Sequence, residues 1–214
     1  MDHTRLDLAP RSATFGPLRI TYDDRVLTPR PWTVLQSEWA HELLATAPPG
    51  PVLELCSGAG HIGLLAVHGT DRGLVCVDVD PVACGYAEAN AREAGRADLV
   101  EVRNIGMDEI DEAERFPVIV ADPPWVRSEQ VPCFPGDPVG AIDGGVDGLA
   151  LARLCVATID RHLHDGGSAL LQLGSLEQAR TLREELPPTL HAPDARAEAG
   201  CGLVLLLQRP GASR

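Results

Sequence analysis

Short apolar runs alternate with helical patterns along most of this 214-residue chain, and this alternation constrains the fold more than any other feature. The apolar runs span residues 51–55, 74–79, 100–103, 117–121 and 168–173. Runs of this length are typical of strands buried on both faces, and the helical stretches between them can carry the chain from one parallel strand to the next. The sequence therefore predicts an α/β fold with helices on both faces of a mostly parallel sheet.

The sequence contains no Gly/Ser-rich linker, no internal repeat and no low-complexity tract. Residues 1–14 are polar and irregular, and we expect a loose N-terminus there. Residues 15–50 predict a lead-in with one strand and one helix, residues 51–209 form the predicted α/β domain, and residues 210–214 form a tail. The ligands of such sheets bind beyond the carboxyl ends of the strands, so the segments that follow strands are the candidate site.

The charge balance disfavours a nucleic-acid partner. The 18 basic residues are all Arg, and 31 acidic residues leave a net charge of −13. Proteins that bind DNA or RNA need positive surface to displace counterions from the phosphates. No apolar stretch is long enough to span a bilayer, and the first residues lack the pattern of a signal peptide. We therefore expect a cytoplasmic protein without membrane association.

Six cysteines are scattered along the chain without a Cys-x-x-Cys pair, and no His cluster shows the spacing of metal ligands. We therefore predict free, buried thiols and no metal site. The six residues are Cys56, Cys76, Cys84, Cys133, Cys155 and Cys201.

A glycine-rich turn follows the first run of the α/β domain. Gly58, Gly60 and Gly63 match Gly-x-Gly-x-x-Gly between a strand and a helix, where the backbone can turn tightly and approach a ligand closely. This pattern suits NAD as well as a nucleoside. Glu54 favours S-adenosylmethionine (SAM), because SAM sites carry an acid near this turn, close to the amino-acid part of the cofactor. We assign Glu54, Gly58 and Gly60 to cofactor binding, together with Cys56 and Ser57.

An acidic residue ends the next predicted strand. Asp78 lies 20 residues after Gly58, at the spacing of a carboxylate that accepts hydrogen bonds from ribose hydroxyls. Asp80 precedes Pro81 at the start of a predicted helix, so we interpret Asp80 as a helix N-cap.

The sharpest motif is Asp122-Pro123-Pro124-Trp125, at the end of the predicted strand 117–121. The two prolines stiffen the bend and remove two backbone donors, which leaves carbonyls and the Asp122 carboxylate as hydrogen-bond acceptors. Such acceptors suit an amino group, whose lone pair they would direct at an electrophile. Trp125 offers a flat face to a planar substrate. We therefore predict catalytic roles for Asp122, Pro123 and Trp125.

Together these motifs resemble the class I SAM-dependent methyltransferases that carry (Asn/Asp)-Pro-Pro-aromatic, and most closely the protein-(glutamine-N5) methyltransferases of release factors. Residues 26–33 are similar to that family's V-L-x-P-R-P signature, and residues 137–149 to its Gly-rich loop. The resemblance covers the catalytic domain only. It implies a Rossmann-like fold with a seven-stranded sheet whose last strand is antiparallel. It also implies cofactor contacts at Arg30, Gly106 and Met107.

The chain departs from that family at informative positions. Asp122 replaces the catalytic Asn, Trp125 replaces Tyr, and Cys56 replaces the first glycine of the turn. We therefore expect N-methylation of an amino or amide nitrogen, on a small molecule or a protein side chain. The alternatives are an adenine-N6 nucleic-acid methyltransferase, an NAD-dependent oxidoreductase and a SAM-binding domain without catalysis. Asp143 and Asp147 lie in the Gly-rich loop, where turn formation is at least as good an interpretation as a site role.

Overall fold

A computed structural model describes residues 8–197 and 202–209. The strands are β1 Arg11–Phe15, β2 Leu18–Tyr22, β3 Val52–Leu55, β4 Leu74–Asp78, β5 Val100–Asn104, β6 Phe116–Ala121, β7 Leu163–Leu173, β8 His191–Ala197 and β9 Leu203–Gln208. The α-helices are α1 Val34–Leu44, α2 His61–Ala66, α3 Pro81–Glu93, α4 Val139–Ile142, α5 Ala150–His162 and α6 Leu176–Glu184. Short 3₁₀ turns cover Pro31–Thr33, Ala97–Leu99, Met107–Glu109 and Ser128–Cys133. The expected tail, residues 210–214, lies outside the described residues.

Seven of the described strands form the main sheet, in the order β5-β4-β3-β6-β7-β9-β8. Neighbouring strands are parallel from β5 to β7, and only β9 runs antiparallel to its neighbours β7 and β8. This confirms the predicted fold, including its antiparallel last strand. The sequence did not predict β8, because its side chains are mostly exposed at the sheet edge and show no apolar run.

Helices cover both faces of the sheet, as the near-continuous apolar strands require. Alternate residues of β6 enter separate cores, with Ile119 packed on one face and Val118 and Val120 on the other. All six residues of β6 are buried. Burial of one such aliphatic side chain contributes about 1.5–3 kcal/mol, so the central strands fix the positions of the loops that follow them.

The N-terminal strands β1 and β2 form an antiparallel hairpin outside the main sheet. The expected loose terminus is therefore wrong for residues 11–14, whereas residues 1–7 lie outside the described part. Asn90 of α3 holds the hairpin in place: its Oδ1 accepts from the Thr21 N–H at 2.8 Å, and its Nδ2 donates to the Thr21 carbonyl at 3.1 Å. The same Nδ2 donates to the Ala59 carbonyl at 2.9 Å, which ties the hairpin to the glycine-rich turn.

The cysteine prediction is confirmed at three positions. Cys76, Cys84 and Cys155 are free and buried, Cys56 is half-buried, and Cys133 is exposed, which corrects the prediction there. Cys133 is exposed because it lies in the 3₁₀ turn of the long loop after β6. Cys201 lies outside the described residues. Within residues 8–197 and 202–209, no helix is both long and apolar enough to cross a membrane.

Candidate active site

A cavity of about 400 Å³ opens at the carboxyl ends of four neighbouring parallel strands. Its walls include Gly58 after β3, Asp78 at the end of β4, Met107 after β5 and Asp122 after β6. Leu27, from the segment after the N-terminal hairpin, closes the cavity from the other side. We call this space the nucleoside cavity. Its position is the one that the sheet topology predicts for a ligand.

The glycine-rich turn shapes one wall of the nucleoside cavity. Gly58 and Gly60 have φ values of 51° and 76°, in the left-handed region that favours glycine. A Cβ at Gly58 would meet nothing within 4 Å, so this backbone is open to a ligand. A Cβ at Gly60 would lie 3.1 Å from the Cβ of Ala87 in α3. Gly60 therefore permits close helix packing and does not line the cavity, and its contact with a cofactor stays a prediction.

Cys56 and Ser57 of the same turn, both predicted to bind the cofactor, line the nucleoside cavity. Cys56 adopts φ 54°, a left-handed conformation that is uncommon for a residue with a side chain and that explains why the related family has glycine there. Ser57 is 2% exposed, and its Oγ has no hydrogen-bond partner among the described residues. This buried hydroxyl at the cavity wall is available to hydrogen-bond a ligand in the cavity.

Asp78 connects the glycine-rich turn to the start of α3. Its Oδ2 accepts from the Gly58 N–H at 2.8 Å, and its Oδ1 accepts from the Asp80 N–H at 2.9 Å. Burial raises the pKa of Asp78, and these two hydrogen bonds oppose that shift. A carboxylate has about four acceptor positions, so Asp78 retains capacity for the hydroxyls of a ribose. Asp80 accepts from the Val82 N–H at 2.8 Å, which confirms it as the N-cap of α3.

Glu54 lies beneath the turn and not in the cavity wall. Its side chain is 2% exposed, the Gly63 N–H donates to it, and the Cys76 thiol donates to its Oε2 at 3.5 Å. Desolvation raises its pKa to about 8, so the neutral acid predominates at neutral pH. Glu54 therefore does not line the nucleoside cavity, and its contact with a cofactor stays a prediction. Glu54 points toward α2 because the alternation along β3 places its side chain on the face of the sheet that α2 covers.

A second cavity of about 300 Å³ adjoins the first, and we call it the acceptor cavity. Asp122, Pro124, Leu27 and Ala141 line both cavities. Burial raises the pKa of Asp122 to about 7, against the opposing positive charge of Arg30. Within the described part of the chain, the Asp122 carboxylate has no hydrogen-bond partner. It is therefore free to receive a ligand group at the junction of the two cavities.

The acceptor cavity has aromatic walls. Trp32, Trp125 and Phe134 line it, together with Pro123. The ring of Trp125 packs directly on Gly174, where a Cβ would overlap the ring. The Trp125 carbonyl accepts from the Gln178 Nε2 at 2.9 Å, which fixes the backbone of the motif against α6. The structure thus brings all three predicted catalytic residues, Asp122, Pro123 and Trp125, to one cavity.

Two further residues that we predict to contact the cofactor, Arg30 and Gly106, lie outside the lining of the nucleoside cavity, and their roles stay predictions. Arg30 lines the acceptor cavity and not the nucleoside cavity, and its Nη2 lies 2.5 Å from the Asp137 Oδ2. Asp137 comes from the loop after β6, a tertiary contact that the local signature does not reveal. Gly106 does not line the nucleoside cavity, because its N–H donates to the Glu109 side chain at 2.6 Å in a tight turn. Met107, for which the resemblance implies a cofactor contact, does line the nucleoside cavity.

The Gly-rich loop aspartates form turns. Asp143 Oδ1 accepts from the Ser128 hydroxyl at 2.7 Å and from the Gly145 N–H at 2.9 Å. Asp147 accepts from the Leu149 N–H at 3.0 Å and pairs with Arg153. Neither aspartate lines the nucleoside or the acceptor cavity.

Sequence reasoning missed two polar residues of the nucleoside cavity, Arg25 and His61. His61 directly follows Gly60 of the glycine-rich turn, and this position is a signal in the sequence that could have identified it. Burial lowers the pKa of His61 to about 4, so the ring is neutral, and it packs edge-on against Phe15 at 4.8 Å between centroids. Arg25 precedes the 26–33 signature, and nothing local indicated that it reaches the cavity.

The chain is similar to known methyltransferases in sequence. The profile of the methyltransferase small domain matches residues 37–133. The release factor glutamine methyltransferase of Mycolicibacterium smegmatis is 33% identical over 181 residues, which is 80% of this chain and 62% of that protein. The enzyme of the same name from Clostridium acetobutylicum is 31% identical over 160 residues, or 71% and 56% of the two chains. The ribosomal protein uL3 glutamine methyltransferase of Francisella tularensis is 27% identical over 205 residues, or 92% and 64%. The chain thus spans about three fifths of the length of these relatives.

Solved structures agree in fold. The ribosomal protein L11 methylase of Lactobacillus delbrueckii subsp. bulgaricus superposes with a TM-score of 0.62 at 17% identity, over 86% of this chain and 81% of that one. The hMettl16 catalytic domain, in complex with the MAT2A 3'UTR hairpin 1, gives 0.68 at 15% identity, over 89% and 76%. At this level of identity, the likeness concerns the fold alone.

Proposed function

We propose that this chain is a SAM-dependent N-methyltransferase. The methyltransferase small domain matches residues 37–133, and two relatives at 31% and 33% identity are named as glutamine methyltransferases. One observation carries this proposal: the nucleoside cavity and the acceptor cavity meet at Asp122 and Pro124. Two substrates bound in adjoining cavities meet at their common wall, which is the arrangement that group transfer between them requires.

The residues of the nucleoside cavity fit SAM in size and chemistry. Its volume of about 400 Å³ is within the range of small-molecule sites. Asp78 would hold the ribose hydroxyls, and the open backbone of Gly58 would allow close approach. Ile105 and Met107 provide an apolar wall for the adenine. When bound, SAM supplies an electrophilic methyl carbon for in-line displacement by a nitrogen.

The acceptor cavity positions that nitrogen. Pro123 and Pro124 have no backbone N–H, so near Asp122 the main chain offers only carbonyl acceptors. The Asp122 carboxylate accepts an N–H of the acceptor, stabilises positive charge developing on the nitrogen, and takes the surplus proton. Trp125 and Trp32 exclude water from the reacting atoms. Orientation of this kind contributes about 7–11 kcal/mol to lowering a bimolecular barrier.

The acceptor that we propose is a side-chain nitrogen of a protein. The relatives are named for glutamine residues of a release factor and of ribosomal protein uL3. A cavity of about 300 Å³ admits a single side chain. The net charge of −13 favours a protein over a nucleic acid.

The test uses SAM labelled in the methyl group. The purified protein is incubated with labelled SAM and with protein, nucleic-acid and small-molecule fractions of an extract. We expect label in the protein fraction, and we expect Asp122→Ala to abolish transfer while S-adenosylhomocysteine still binds in calorimetry. Asp98 is an exposed acid that lines neither cavity, so Asp98→Ala is the matched control and retains transfer. Label in nucleic acid alone, or full activity of Asp122→Ala, refutes the proposal.

A further inference from the structure

The charged groups lining the nucleoside cavity are of one sign, with a single exception. Asp78, Asp80 and Asp122 contribute carboxyl groups, and His61 is neutral. Arg25 is the one permanently cationic side chain among the described residues that line this cavity. The chain has no Lys and a net charge of −13, so a single cation in the wall of this acidic cavity indicates a specific role.

Arg25 is held rigidly from behind. Its Nε lies 3.1 and 3.0 Å from the two oxygens of Asp23, and its Nη2 lies 2.5 Å from Oδ2. Asp23 is fully buried, and its Oδ2 also accepts from the Tyr86 hydroxyl of α3 at 2.8 Å. The Arg25 guanidinium lowers the pKa of Asp23 to about 2, so this anchor stays ionised. The side chain of Arg25 is therefore preorganised, although 42% of it is exposed.

The contacts with Asp23 use only one edge of the guanidinium. A guanidinium carries five N–H donors, and the hydrogen bonds to Asp23 use those of Nε and Nη2, with Tyr86 as a further neighbour of the guanidinium. The outer edge, formed by Nη1 and Nη2, has the geometry that matches a carboxylate with two parallel hydrogen bonds. The wall of the nucleoside cavity thus includes a guanidinium that Asp23 holds in place and that retains donors for a bound anion.

We propose that Arg25 binds the carboxylate of the amino-acid part of SAM, a role that rests on the proposed function. This carboxylate is the cofactor's only anionic group, and the aspartates of the cavity would repel it. Arg25 offsets that repulsion and supplies charge-assisted hydrogen bonds, which are about twice as strong as neutral ones. Asp23 acts as a positioning residue, because it fixes the guanidinium that makes the contact. The unpartnered Ser57 Oγ on the same cavity wall indicates independently that the cavity is built for a polar ligand.

The test compares two ligands that differ in the amino-acid part alone. S-adenosylhomocysteine and 5′-methylthioadenosine share the adenosine thioether, and only the former has a carboxylate. Calorimetry on the full chain measures the dissociation constant of each ligand for the wild type and for Arg25→Gln. We expect Arg25→Gln to raise the dissociation constant of S-adenosylhomocysteine by about tenfold or more, because a hydrogen bond to a charged group is lost. The dissociation constant of methylthioadenosine should not change.

Two further variants protect the interpretation. Arg25→Gln leaves the buried Asp23 carboxylate without its cationic partner, which would destabilise the fold. The double variant Asp23→Asn/Arg25→Gln removes both charges and so avoids a buried unpaired charge. Arg92→Gln removes an exposed cation of α3 and is expected to change neither ligand. Equal weakening of both ligands, or of neither, overturns the role of Arg25 and leaves the methyltransferase proposal intact. A wild-type protein that binds neither ligand refutes both proposals.

Discussion

Replacing Glu54 by Gln should remove a large pH dependence from the stability of this protein. Glu54 is 2% exposed, and desolvation raises its pKa from 4.5 to about 8 in the folded state. Between these values, the folded protein keeps the Glu54 proton and the unfolded chain releases it. The unfolded state binds fewer protons in this window, so the free energy of unfolding falls as the pH rises.

The magnitude follows from the two pKa values. Between pH 5 and pH 8, this single group lowers the free energy of unfolding by about 3–4 kcal/mol. Glutamine has the same shape, and its carbonyl still accepts from the Gly63 N–H. Glu54→Gln should therefore gain stability relative to the wild type as the pH rises from 5 to 8.

Urea denaturation followed by circular dichroism, at pH 5, 6.5 and 8 and constant ionic strength, measures this difference. Other carboxyl groups with raised pKa values, such as Asp122, contribute equally to both proteins and cancel in the subtraction. Glu184→Gln, at an exposed position, is the control and should follow the wild type. Parallel curves for the wild type and Glu54→Gln would show that Glu54 is ionised in the folded state, and the reasoning from burial would be wrong.

Three further outcomes are expected. Gly174→Ala places a methyl group where the Trp125 ring now packs, so it should lower kcat/KM for the acceptor and lower the free energy of unfolding by about 1–3 kcal/mol. Calorimetry should show unchanged binding of S-adenosylhomocysteine. Unchanged turnover would contradict the packing of Trp125 on Gly174. Asn90→Ala removes the three hydrogen bonds that join α3 to the hairpin and to the glycine-rich turn. Urea unfolding should show that the free energy of unfolding falls by about 2–4 kcal/mol. A fall of less than about 1 kcal/mol would show that these hydrogen bonds contribute little to stability. With a pKa of about 7, the ionised fraction of Asp122 rises from about 10% at pH 6 to about 90% at pH 8. The kcat/KM of the wild type should therefore rise about ninefold in that range. Any residual activity of Asp122→Asn should lack this rise.

Local patterns predicted the features that depend on local geometry. Asp80 was identified as an N-cap because capping involves residues two or three positions apart. Asp78 and Asp122 were placed at the site because each ends a buried parallel strand, and such ends meet at one edge of the sheet. Glu54 and Gly60 lie in the same motif, yet they face inward, because the alternation of β3 and the approach of α3 decide which side each residue presents.

The sequence by itself predicted the buried parallel strands of the sheet, the edge at which the two cavities open and the Asp122–Trp125 motif, because buried strands require continuous apolar runs and sites follow strand ends. Only the tertiary structure decided that Arg30 joins Asp137 beside the acceptor cavity and that Arg25 reaches the nucleoside cavity. It also decided which carboxyl groups stay neutral. Side chains that come together across 50 or 100 residues leave no periodic signal, and their pKa values depend on burial that exists only once the chain is packed.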